Sequence, residues 1–265
     1  MAHPLDTLRT VARRALVPDL TWAGRRTVLR AGLRGVGPEP RPTWVALRHG
    51  ALRLDAAHGP DWRVFDEVFV WREYDVDLRG AAVVDVGAHR GLFAAYALLH
   101  GARHVVAYEP AAGNLPYLEA TLSSFGPGRT TVHARAVGAE GGVERLFTYD
   151  ESWSHSVVHR PDRALVAEVE VDRAALADAL REAAEQADRV VVKVDAEGAE
   201  YGLLLGTEPA TLAPVDVLVA EVHGYADGRP ESLVEHLEAA GLAVRLHRDP
   251  ASPHCTVYAS RSPGA

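Results

Sequence analysis

A repeating alternation restricts the fold of this chain more than any other feature. From residue 81 onward, short apolar runs that stop at an acidic residue or a glycine alternate with stretches of helical spacing. Residues 81–86, 104–108, 130–137, 190–195 and 215–222 read as strands; 92–99, 115–122, 173–186, 197–205 and 231–240 read as helices. The first run, 81–86, is apolar up to Asp85, as expected for a strand with both faces covered. Strands separated by helices imply an α/β architecture with a mostly parallel sheet and helices on both faces. Segments 242–246 and 255–259 bring that sheet to seven strands. Residues 143–148 and 165–171 look like extra β segments flanking a polar loop at 150–159.

Upstream, residues 1–43 read as a helical accessory segment that ends in a Pro/Gly-rich break at 35–42, and residues 44–265 as the main domain. A hairpin around His49-Gly50 is expected over 43–56. Residues 61–74 carry Val64, Phe65, Val68 and Trp71 at helical spacing.

With 265 residues, 48% of them hydrophobic, the chain can bury a substantial core. The net charge of -8 provides no basic field for a nucleic acid partner. The one cysteine, Cys255, reads as a small buried hydrophobe. No membrane span is expected, because no apolar run approaches the required length, and without a signal peptide pattern the expected location is cytoplasmic. The arginines of 9–34 read as the solvated face of a capping helix, in preference to a membrane-surface helix. Self-association into a homo-oligomer is compatible with this composition.

In an open parallel sheet, ligands bind beyond the carboxyl ends of the strands. Asp85-Val86-Gly87-Ala88-His89-Arg90-Gly91 follows the first core run, and Glu109-Pro110 follows the second. A dinucleotide site would need G-x-G-x-x-G, but Asp85 and Arg90 replace the outer glycines. A carboxylate at Asp85 repels a pyrophosphate and suits a ligand bearing an ammonium and a sulfonium, as S-adenosylmethionine does. Glu109 is placed to accept hydrogen bonds from ribose hydroxyls. The only lysine, Lys193, and the only asparagine, Asn114, both fall in these ligand-facing segments.

Together, Asp85-Val86-Gly87-Ala88 with Gly91, Glu109-Pro110, Ala136-Val137-Gly138 and Lys193-Val194-Asp195-Ala196-Glu197-Gly198-Ala199-Glu200 resemble the FkbM family of methyltransferases. The segment Asp61 to Tyr74 resembles the family's stretch before the glycine turn, so the likeness covers residues 44–225. It implies a class I, Rossmann-like methyltransferase fold and S-adenosylmethionine as cofactor. It also implies an acceptor such as a hydroxyl of a secondary metabolite or sugar. Carried over by position, Asp85, Gly87, Ala88 and Gly91 hold the methionine part, Glu109 the ribose, and Ala136 with Val137 the adenine; Asn114 and Tyr74 join the cofactor set. The family usually has a larger aliphatic residue at Ala196 and often asparagine at His89.

Methyl transfer is an in-line displacement that depends on alignment, and a hydroxyl acceptor gains from a nearby base. Asp195, Glu221 and His223 lie at strand ends facing the cleft. His223 is the leading base because an ordinary imidazole titrates near neutrality. Asp195 would orient the cofactor amine or the acceptor, and Lys193 would pair with a carboxylate beneath the site. A divalent metal held by Asp195, Glu221 and His223 is the less favoured alternative. The loop 150–156 is expected to cover the site, with Trp153 or His155 in contact. N-methylation of a small amine and non-catalytic cofactor binding are the competing readings; Asp85 argues against a nicotinamide enzyme.

Overall fold

The computed structural model describes residues 4–35, 39–224, 228–248 and 252–261; residues 36–38 of the Pro/Gly-rich break lie outside them. Helices α1 (Pro4–Ala15) and α2 (Trp22–Arg34) precede a hairpin of β1 (Pro42–Ala46) and β2 (Ala51–Asp55). Next come α3 (Gly59–Phe65) and a π turn, Asp66–Trp71. The βα alternation follows: β3 (Ala82–Val86), α4 (Leu92–Leu99), β4 (His104–Tyr108), α5 (Leu115–Ser123) and β5 (Thr130–His133). Strands β6 (Ala136–Gly138), β7 (Gly142–Tyr149) and β8 (Leu165–Ala175) lead to α6 (Leu176–Gln186), β9 (Val190–Val194) and α7 (Glu200–Gly206). The chain closes with β10 (Val215–Val222), α8 (Pro230–Ala239), β11 (Ala243–Arg248) and β12 (Cys255–Ser260).

Seven strands form one sheet in the order β11-β12-β10-β9-β3-β4-β5, parallel except for β12, which runs antiparallel to both neighbours. This is the α/β class and mostly parallel sheet that the sequence implies. Strands β3, β4 and β9 are buried at every position. Alternate residues feed two cores: Val83, Val105 and Val191 pack with α4, α5 and the N-terminal helices, whereas Val84, Val106 and Val192 pack with α6, α7 and α8. The winding direction reverses between β3 and β9, so a crevice opens at their carboxyl ends.

Local readings fail where tertiary pairing overrides pattern. The run 130–137 divides: β5 joins the main sheet, and β6 leaves it to pair with β8 in a three-stranded sheet. Residues 173–175 extend β8 against β6, so α6 starts at Leu176 and not at 173. The helix expected over 61–74 widens into the π turn and stops at Arg72, whose φ is 56°. Such turns often mark functional sites.

Gly87 has φ +74°, and a Cβ there would lie 1.8 Å from the Asp195 carbonyl oxygen. Gly80 has φ +71° but nothing within 4 Å of the same position. Gly87→Ala should therefore cost about 3 kcal/mol or more and lower Tm by about 6 °C or more, against about 1 kcal/mol for Gly80→Ala. Thermal melts of the two variants test this, and equal losses would overturn it.

Candidate functional site

A cavity partly open to solvent sits over the carboxyl ends of β3, β4, β9 and β10. Its first end is built around Glu109. The turn after β3 is tied to β4 by the Gly87 and Ala88 amides, which donate to the Tyr108 carbonyl at 3.1 and 3.0 Å. Glu109 then receives the amides of His89 (2.7 Å) and Ala111 (2.8 Å) and the Asn114 side chain (3.3 Å). Burial raises its pKa against these donors. Apolar Ala136, Val137 and Leu146 line the wall beside it.

The loop after β7 closes this end, as expected. Ser152 Oγ lies 2.9 Å from His89 Nε2, and Asn114 donates to the Ser152 carbonyl at 3.0 Å. The Trp153 ring has the guanidinium groups of Arg63 and Arg163 5.3 and 4.7 Å from its centroid. Trp153, His155 and Ser156 all face the cavity.

At the second end stand Tyr74, Asp195, Glu221 and His223, with Glu67 and Glu197. The Tyr74 hydroxyl donates to Glu221 Oε2 at 2.8 Å, with Asp195 Oδ2 at 3.2 Å. Burial and the two carboxylates push Tyr74 well above the ordinary phenol range, so it stays a donor. Burial and Asp195 raise Glu221. Burial also acts to raise Asp195, but the nearby Lys193 and His223 charges outweigh it and hold it low. Glu67, presented by the π turn, is pushed to about 8 by burial and by Glu221.

Three expectations need correction. Asp85 is fully buried and does not line the cavity; Lys193 Nζ lies 3.2 Å from its Oδ1 and donates to the Gly87 carbonyl at 2.9 Å. Its charge is therefore answered beneath the floor and does not project at a ligand. Gly91 is also behind the wall, where its φ of +84° starts α4 against Leu118. His223 is not a near-neutral imidazole. Burial would lower its pKa, but Glu200 Oε1 at 2.9 Å, with Glu197 and Asp195 near, raises it to about 10. At neutral pH it is a cation and cannot take a proton.

The remaining site residues meet as expected: Tyr74, Gly87, Ala88, Glu109, Asn114, Ala136, Val137, Asp195, Glu221 and His223 share the cavity. The metal trio does not form as expected, because Asp195, Glu197 and His223 bring ligand atoms within 4.8 Å of one another and Glu221 is outside that group. An imidazolium is no ligand, so a cation there must first displace its proton. Sequence reasoning missed Glu67, hidden in a π turn that no helical spacing reveals. It also missed how Glu200 works: its carboxylate accepts the Ala196 and Gly198 amides at 3.0 and 3.1 Å, which shapes the turn that carries Glu197 at φ 50°. The acidic pair in Glu197-Gly198-Ala199-Glu200 was the visible signal.

A family model for the methyltransferase FkbM domain matches residues 85–241. The chain is 30% identical over 240 residues to 31-O-demethyl-FK506 methyltransferase FkbM of Streptomyces tacrolimicus, across 78% of this chain and 91% of that protein. It is 29% identical over 231 residues to AMB antimetabolite synthetase AmbE of Pseudomonas aeruginosa, across 70% of this chain; the match spans 11% of the synthetase's length. Among solved structures it is similar to methyltransferase FkbM from Methylobacillus flagellatus KT, with TM-score 0.47 and 14% identity, covering 96% of this chain and 59% of that one. It is also similar to magnesium protoporphyrin IX methyltransferase from Synechocystis PCC 6803, with TM-score 0.44 and 12% identity, covering 77% and 80%.

Because its folded pKa is raised, the His223 imidazolium contributes stability in full below about pH 6.5, and the contribution is lost as pH climbs through about 10. A ring-proton NMR titration should find it protonated at pH 8, and in Glu200→Gln its midpoint should move down toward the ordinary histidine range. A midpoint near neutrality in the unaltered protein would refute this.

Proposed function

The chain belongs to the FkbM methyltransferase family; from that premise we propose that it is an S-adenosylmethionine-dependent methyltransferase that methylates an oxygen of a small-molecule acceptor. The observation that carries this reading is the carboxylate pair Asp195 and Glu221, bridged by the Tyr74 hydroxyl at the second end of the cavity. The name of the FkbM relative puts that protein's methyl on an oxygen, and we extend this acceptor type to the present chain. A cytoplasmic setting belongs to the same proposal.

The lining fits the cofactor chemically. Glu109 keeps a buried carboxylate for ribose hydroxyls, Ala136 and Val137 give an apolar slot for adenine, and the acidic end accommodates a cationic group. When bound, S-adenosylmethionine supplies a methyl already activated by its sulfonium. Asp195, held ionised by Lys193 and His223, would face that positive charge. Glu221 is the base in this proposal, in place of His223. Its raised pKa improves its match to a hydroxyl proton, and Tyr74 fixes the orientation of its carboxylate. His223 acts as a fixed cation that holds Glu197 and Asp195 in place. Lys193 holds the Gly87 carbonyl, which sets the backbone of the glycine turn.

Calorimetry should show association with S-adenosylmethionine and none with NAD. Glu109→Ala should weaken that association about tenfold or more. Glu221→Gln should keep it while lowering kcat about 10² to 10³-fold on a hydroxylated acceptor, with mass spectrometry assigning the product as a methyl ether. Activity should rise with pH as Glu221 ionises. Full turnover in Glu221→Gln, or methylation confined to amines, would overturn the proposal.

A further inference from the structure

Two exposed faces far apart in sequence have matching length and opposite charge. On α2, Gly24, Val28 and Ala31 are buried, while Trp22, Leu29 and Leu33 are 75%, 43% and 79% exposed. At 3.6 residues per turn these three side chains fall within about 40° of one another, so they form one straight apolar ridge about 17 Å long. Arg26 and Arg30 flank it, and neither forms an ion pair among the described residues. The sequence from Pro4 to Arg34 carries seven arginines and two aspartates within a chain of net charge -8. This is a basic, apolar ridge on an otherwise acidic protein.

The second face belongs to the β7–β8 hairpin. Strand β6 pairs only with residues 173–175 of β8, which leaves the outer length of the hairpin as two strands bridged at Phe147 by Ser156 among the described residues. Two isolated strands are marginally stable, so such a surface gains from being covered. Alternation puts Glu168, Glu170 and Asp172 on one side of β8, sharing a face with their register partners Phe147, Arg145 and Val143 of β7, and Val166 lies next to them at a shift in the register. Val143 and Val166 are 61% and 66% exposed. Glu168 is answered by Arg145 at 3.0 Å, whereas Glu170 has no ion pair among the described residues. From Val166 to Asp172 the strand runs about 20 Å, with Val166 and Val143 near its ends and three carboxylates and the Arg145 guanidinium between them. On the ridge Trp22 and Leu33 stand at the ends, with Arg26, Leu29 and Arg30 between them.

We propose that the α2 ridge docks on the β7–β8 hairpin of a second copy of this chain, with Arg26 and Arg30 meeting Glu168 and Glu170. The contact joins two different patches and is therefore heterologous. Arginine with an exposed tryptophan is a combination enriched at interface centres.

Size-exclusion chromatography with light scattering tests this on the whole chain. At low salt the mass should exceed the 28.5 kDa of one chain, and it should fall toward that value at about 0.5 M salt, where exposed charges are screened. Arg26→Glu with Arg30→Glu should abolish association, as should Glu168→Arg with Glu170→Arg; the four changes together should restore it. Trp22→Ser should weaken self-association about tenfold or more while leaving S-adenosylmethionine binding unchanged. A mass of one chain under all conditions overturns the proposal, as does a folded four-fold variant that associates no better than its parents. A monomer that sediments with phosphatidylglycerol vesicles also overturns it and assigns the ridge to a lipid surface.

Discussion

The buried pair of Lys193 and Asp85 underlies the rest of the site. It spans β9 and β3, the two strands between which the sheet changes winding direction, and both side chains are buried. A lone carboxylate in that position would carry a desolvation penalty of several kcal/mol, and removing either partner of such a pair costs about 3 to 5 kcal/mol. Lys193 also donates to the Gly87 carbonyl, and the Asp195 amide donates to the Val86 carbonyl at 3.1 Å. The glycine turn, the end of β9 and the start of the acidic end are thereby held as one unit. Gly87 allows this because no side chain could stand between the turn and Asp195.

Charges alternate outward from that pair. Asp195 lies 3.5 Å from Lys193, His223 lies 4.0 Å from Asp195, and Glu197 and Glu200 flank the imidazole, with Arg160 3.2 Å from Glu197. Each group sets the protonation of its neighbour. Lysine and imidazolium keep Asp195 ionised, and the carboxylates keep His223 charged. Glu221 stands beside this chain of charges, where burial and the Asp195 carboxylate raise its proton affinity against the hydrogen bond from the Tyr74 hydroxyl. Two carboxylates on adjacent strands therefore take opposite characters, one a fixed anion and the other a proton acceptor.

Much of this was legible in the sequence. The apolar runs located six of the seven sheet strands closely, and the acidic strand ends led to Glu109, Asp195 and Glu221. What escaped depends on contacts between residues distant in the chain. Asp85 read as an open anion because nothing in the sequence pairs it with Lys193 across the sheet. The histidine at 223 read as a base because Glu200, which raises its pKa, reaches it from the turn after a different strand. At 134 and 135 the alternation continues without a break, so the pattern could not show that one run serves two sheets.

The N-terminal helices are tied to the chemistry more closely than an accessory segment requires. Arg14 on α1 grips Asp66 with two hydrogen bonds, 2.7 and 2.6 Å, and its guanidinium lies 5.3 Å from the Trp62 ring centroid. Asp66 opens the π turn, and Glu67 is the next residue. Arg63, one turn earlier, bonds Glu67 at 2.8 Å and also packs on Trp153 of the covering loop. One short segment is thus fixed from behind by α1 and in front by the loop, and it presents a carboxyl between them. A bidentate arginine–carboxylate pair has a defined geometry as well as strength, so the position of α1 sets the backbone that carries Glu67. The shape of the second end of the cavity therefore depends on residues before the first strand as well as on the sheet.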